Sequence, residues 1–148
     1  MLNRIMTGVL GFAIGVSCVT ATTAQAGRRY ITPRSAANPA DATQPPFSAA
    51  VVVGNTAYIA GVLGTGDTAE AAAKTGLDAL QASLQASGMT MDDLVSVQIF
   101  CPDVANYDAF NGVYRKMFKQ EFPARAFLGS GPLLRGAKFE IMGIAVKR

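Results

Sequence analysis

The chain has 148 residues and a formal charge of +3; half of it is hydrophobic, and it contains no histidine and no tryptophan. So mild a charge, with the basic residues scattered, argues against a dedicated nucleic-acid or anionic-membrane surface. Without histidine there is no Ser-His-Asp hydrolysis and none of the common zinc sites. Two cysteines and dispersed carboxylates make no metal cluster either.

The N-terminus reads as a targeting segment. Arg4 supplies a positive start, residues 5–19 are apolar or small, and Ala24-Gln25-Ala26 has the small-x-small pattern of a signal-peptidase site. A membrane anchor needs about 20 apolar residues, and Thr20, Thr22 and Thr23 end this stretch early. Gly15-Val16-Ser17 before Cys18 is a poor lipobox. The expectation is a signal peptide over residues 1–26 and a periplasmic or secreted protein with no membrane attachment after cleavage. Cys101 then stands alone, with no intrachain disulfide to form. Following Val97-Gln98-Ile99-Phe100, it reads as a small buried hydrophobe.

Residues 27–44 are rich in Pro, Ala, Arg and Thr without an apolar period and read as a flexible arm, Arg28-Arg29 being a solvated tail. One domain follows over residues 45–148. Its first elements are the apolar runs 49–53 and 56–60, joined by Gly54-Asn55 as a tight hairpin. Glycines between Gly61 and Gly66 read as turn chemistry, without phosphate-loop spacing. Asp67 or Thr68 caps a helix running to about Ser87, with Ala73, Leu77, Leu80 and Leu84 on one stripe and Gly88 closing its end.

Residues 94–101 read as a strand apolar enough for burial on both faces. A second helix is expected from about Asn106 to Lys119, its face of Phe110, Val113, Tyr114, Met117 and Phe118 assigned to packing. Residues 126–130 are a candidate strand, Gly131-Pro132 a turn, and residues 139–146 a mostly apolar final strand. Helices between strands that are not hairpins imply right-handed crossovers, hence one mixed sheet with both helices on one face. Self-association is left to cover the other face.

Two charges sit in apolar surroundings. Arg125 opens a strand beside Ala126, Phe127 and Leu128, and Glu140 interrupts the last strand. A buried carboxylate is costly unless paired or hydrogen-bonded. The two residues either neutralise each other across adjacent strands or serve a site.

Pro46-Phe47-Ser48-Ala49-Ala50, Val53-Gly54-Asn55 and Tyr58-Ile59-Ala60-Gly61 resemble the opening hairpin of the RidA/YjgF family of imine deaminases. Residues 94–100 and 107–114 resemble its central strand and second helix. Phe122-Pro123-Ala124-Arg125, Lys138-Phe139-Glu140-Ile141 and Ile144-Ala145-Val146 carry the most specific likeness. The resemblance implies an α+β, chorismate-mutase-like mixed sheet assembled as a barrel-like homotrimer. It also implies hydrolysis of 2-imino or enamine acids to 2-keto acids and ammonia in clefts between subunits, with no cofactor.

By resemblance Arg125 grips the substrate carboxylate and Glu140 serves the catalytic water. Phe47, Ala60, Gly61, Asn111 and Phe127 line the substrate pocket, Asn111 having a helix-to-loop hydrogen bond as its other role. Arginine suits the task because its planar fork makes two charge-assisted bonds to a carboxylate. The chain departs from the pattern at Phe47, Ala60 and Val62, where tyrosine, serine and glutamine are usual, and its loop after Gly61 is shorter. Those changes leave a more apolar pocket. A trimer that binds a small carboxylate or an apolar metabolite without turnover is the alternative; ribonuclease activity is a third reading, disfavoured by the charge and the lack of histidine.

Overall fold

The computed structural model describes residues 27–33, 45–119 and 121–148. The expected signal peptide and residues 34–44 of the arm lie outside them. Among the described residues six strands form one sheet: β1 (Arg28–Ile31), β2 (Ala50–Val53), β3 (Thr56–Gly64), β4 (Leu94–Cys101), β5 (Ala124–Gly129) and β6 (Phe139–Val146). Their spatial order is β1-β2-β3-β6-β4-β5. Only β4 and β5 are parallel neighbours; the other pairs are antiparallel. Helix α1 (Ala69–Ala86) links β3 to β4 around the intervening β6, and α2 (Tyr107–Tyr114) links β4 to β5. This is the expected mixed sheet.

The hairpin register follows from its turn. Val53 pairs with Thr56, and Gly54 alone takes positive φ (60°) between them, as a turn with glycine at its first central position requires. Thr68 caps α1 by accepting the Ala71 N–H at 3.1 Å, a contribution of about 1 kcal/mol. At the other end Gly88 (φ 78°) lets Met89 N–H reach Leu84 O at 2.9 Å, closing the last turn. Ala73, Leu77, Leu80 and Leu84 are fully buried against Val97, Ile99, Phe139 and Ile141 of the sheet. Truncating one such leucine to alanine costs about 2–5 kcal/mol.

Several expectations are corrected. Arg28–Ile31, read as the start of an irregular arm, form β1 antiparallel to β2. Arg29 is no solvated tail: its guanidinium donates to Ala86 O at 3.3 Å and Ser87 O at 2.9 Å, satisfying carbonyls that the end of α1 leaves open. Gly61 and Gly64 belong to β3 rather than to a turn. A Cβ on Gly64 would strike the Ala72 carbonyl of α1, and one on Gly61 the Glu140 carboxylate. Close approach, not turn geometry, requires glycine at both positions.

Helix α2 stops at Tyr114, and Arg115–Met117 tighten into a single 3-10 turn before Phe118 turns extended. Tyr114, Phe118 and Phe122 pack ring on ring at 4.8–6.0 Å, and that cluster turns the chain back toward β5. Strand β5 starts at Ala124, so Arg125 lies within it. Finally, β4 and β6 are buried on one face only. Phe139, Ile141, Gly143 and Ala145 face the helices, whereas Met142 and Ile144 are more than a third exposed on the opposite face, near Tyr58. Among the described residues nothing covers that face.

Candidate functional site

Arg125 pairs in register with Val97, a fully buried residue on the helix side of the sheet, and its side chain meets α2. Its Nη1 donates to Asn111 Oδ1 at 2.7 Å and its Nη2 to Tyr107 Oη at 3.2 Å. The guanidinium carbon lies 4.9 Å from the Tyr114 ring centre and 5.6 Å from that of Tyr107. Each aromatic face attracts the cation, so the fork is held in plane and in position. Among the described residues no salt bridge joins it to a carboxylate. Arg125 opens onto a cleft of about 380 Å³ with Tyr107, Asn111, Tyr114, Arg115, Phe122 and Pro123. An oriented arginine that opens onto a cleft, with no carboxylate partner among the described residues, has the chemistry to hold an anion.

Asn111 is 8% exposed, and its carbonyl accepts from Arg125 in β5 rather than from a loop. Tyr114 is 3% exposed, and its hydroxyl has no hydrogen-bond partner among the described residues. Burial pushes its phenol up to about 12, against the opposing pull of the Arg125 charge. Tyr107, Asn111 and Tyr114 stand at i, i+4 and i+7 on α2, one face of a helix. The aromatic stripe of α2 packs as its spacing implies, with Phe110 and Tyr114 in the core, but the contact of Tyr107 and Tyr114 with Arg125 does not follow from that stripe. That spacing of polar-tipped residues was the available signal.

The remaining expected site residues lie elsewhere. Phe127 is in β5 but packs inward, edge-on to Tyr107 and Phe110 with ring centres 5.0 and 5.6 Å apart. Phe47, Ala60 and Gly61 meet at a second cleft of about 460 Å³ between β3 and α1. Glu140 pairs with Leu63 of β3 and Phe100 of β4 on the helix-free face, its carboxylate lying over the Cα of Gly61.

Mutual neutralisation of Arg125 and Glu140 is therefore corrected. Strand β4 separates β5 from β6, and the two side chains leave opposite faces of the sheet. Adjacent strands are about 4.8 Å apart, so two spacings and the sheet thickness stand between the charges. No group of three or more His, Cys, Asp or Glu among the described residues is placed to hold a metal ion.

Comparison with known proteins adds to this geometry. The family described as Endoribonuclease L-PSP matches residues 37–147. A 2-iminobutanoate/2-iminopropanoate deaminase of Dermatophagoides farinae is 36% identical over 68% of this chain and 85% of its own length. The Homo sapiens protein of that name is 32% identical, over 69% and 80% respectively. The crystal structure of RidA from a Psychrobacter species superposes with a TM-score of 0.66 at 28% identity, over 69% of this chain and 89% of that one.

Proposed function

The chain belongs to the endoribonuclease L-PSP, or RidA/YjgF, family, and from that premise we propose that it hydrolyses 2-imino acids to 2-keto acids and ammonia. The observation that carries the reading is Arg125: a guanidinium held by Asn111 and two tyrosine rings, open to a cleft and free of any carboxylate among the described residues. It takes the substrate carboxylate in two parallel charge-assisted bonds and thereby sets the plane of the adjacent C=N. Glu140 takes a proton from water as the water oxygen attacks the imine carbon. Glu140 hands that proton to the nitrogen and then relays the hydroxyl proton to it, so the tetrahedral carbon expels the nitrogen as ammonia and the water oxygen remains as the keto oxygen.

One substrate of a few ångströms cannot touch Arg125 and Glu140 of the same chain, which lie on opposite faces of the sheet with β4 between them. The reading therefore requires a composite cleft, with Arg125 from one subunit and Glu140, Gly61 and Phe47 from its neighbour. A trimer built through the helix-free face, where Tyr58, Met142 and Ile144 are exposed, supplies that arrangement.

The test generates imines with an amino-acid oxidase and traps them with semicarbazide. Purified protein lowers the semicarbazone yield, and Arg125→Ala abolishes the effect; equal trapping with and without protein rejects the reaction. Binding without turnover is a second reading, favoured by the apolar Phe47, Ala60 and Val62. Stabilisation of the protein by 2-keto acids with unchanged trapping identifies it.

Export is part of the proposal. Strand β1 starts at Arg28, so cleavage after Ala26 leaves the sheet intact. N-terminal sequencing of protein from the periplasm or medium, expected to begin at Gly27, checks it.

A further inference from the structure

Strand β3 outruns its partner. Its pairing with β2 ends at Ile59, with a last bond from Ala60 N–H to Ala49 O at 3.0 Å, and its register against β6 shifts between Ile59 and Val62. Past that bulge the strand edge forms one wall of the 460 Å³ cleft, and α1 forms the other. We propose that this cleft is the side-chain pocket of the substrate, and that it selects 2-imino acids with large apolar side chains, branched or aromatic, over the methyl-bearing one. The inference rests on the deaminase reading and names the substrate class it serves.

Three observations lead there. First, Gly61 links the cleft to the carboxylate that acts on water: Gly61 is in the cleft wall, and Glu140, itself outside the lining, lies over Gly61 from the helix-free face. A substrate whose imine carbon faces Glu140 has its side chain directed across the β3 edge. Second, the walls are Phe47, Ala60, Val62 and Leu63 on one side and Ala79 and Ala82 on the other. A phenylalanine among small residues leaves depth without supplying polar groups.

Third, two of the four polar side chains there, Ser83 and Asp78, are already engaged. Ser83 Oγ donates to Ala79 O at 3.2 Å, and Asp78 is paired with Lys74 at 2.6 Å. Arg135 in the lining carries a positive charge, which disfavours a cationic side chain. A methyl group leaves nearly all of such a cavity unfilled, whereas an isobutyl or benzyl group buries apolar surface in it. Each buried methylene is worth roughly fourfold in binding.

The experiment compares imines generated from L-alanine, L-leucine and L-phenylalanine under the same semicarbazide competition. The leucine and phenylalanine imines are expected to exceed the alanine imine in kcat/KM by at least about tenfold. Ala82→Leu, which fills the cleft from an exposed-side helix position that leucine suits, is expected to shrink that ratio. Equal or faster hydrolysis of the alanine imine by the wild type overturns the pocket, as does an unaltered ratio in a folded Ala82→Leu protein.

If no imine is hydrolysed, the reaction falls and the pocket is judged by binding alone. Phenylpyruvate raising the melting temperature more than pyruvate at equal concentration upholds it. The reverse order, or no difference, overturns it.

Discussion

Arg125 Nη1 donates to Asn111 Oδ1 at 2.7 Å, and Asn111 is 8% exposed. The asparagine fixes which edge of the guanidinium faces the cleft. Asn111→Ala removes that restraint and costs about 1.5–3 kcal/mol of stability, as befits a lost bond to a charged group. KM for the imine is expected to rise about tenfold. Asn111→Asp keeps the shape but places a negative charge on the anchor, so carboxylate binding falls further although the protein is no less stable. Keto-acid titration and thermal melts on both variants check the pattern; equal binding in the two removes Asn111 from the site.

Gly61 lies under the Glu140 carboxylate, and a Cβ there would meet its Oε1 atom. Gly61→Ala is expected to displace the carboxylate while leaving the strand paired. The effect falls on kcat, by about tenfold or more for a displaced general base, with a small change in KM. Steady-state kinetics decide, with circular dichroism to verify the fold.

Arg29 bridges β1 to the end of α1 through the carbonyls of Ala86 and Ser87. Arg29→Ala is expected to lose about 1 kcal/mol, a fall of roughly 3–6 °C in Tm, without changing kcat. An unchanged Tm would show that the bridge adds nothing to the fold.

Tyr114 has its phenol pushed up to about 12 by burial, above the ordinary value near 10. The unfolded chain therefore ionises this group first, and the folded protein holds the proton longer. Stability attached to this group is complete below about pH 10 and declines as pH rises toward 12. Tyr114→Phe flattens that decline and, by removing a buried hydroxyl without a partner, raises Tm at neutral pH. Melting curves from pH 8 to 12 on both proteins read the difference.

Met142 and Ile144 of β6 stand exposed on the helix-free face. A charge at the centre of that face opposes its burial against another subunit. For the proposed trimer, Ile144→Glu is expected to lower the mass in solution toward that of one chain and to abolish imine hydrolysis, while Arg125 still occupies its place beside Asn111. Light scattering behind a sizing column measures it; an intact trimer moves the interface elsewhere.

Much of this architecture was legible locally. The Gly54 turn between β-branched runs, the Thr68 cap, the leucine stripe of α1 and the alternation of β6 each depend on residues a few positions apart, where hydrophobic period and backbone conformation act directly. They determined the β2–β3 hairpin, α1, β4 and β6 and singled out Arg125 and Glu140 as charges in apolar company. Tertiary structure decided the rest. That β4 runs between β5 and β6, so that Arg125 and Glu140 leave opposite faces, depends on pairing among strands far apart in the chain. Strand β1, with the sequence Arg-Arg-Tyr-Ile, has no apolar period of its own and takes its form from the edge of β2. Likewise Tyr107 and Tyr114 became part of the anchor only once α2 was laid across β5, because a tyrosine's ring serves packing or a cation according to what is placed beside it.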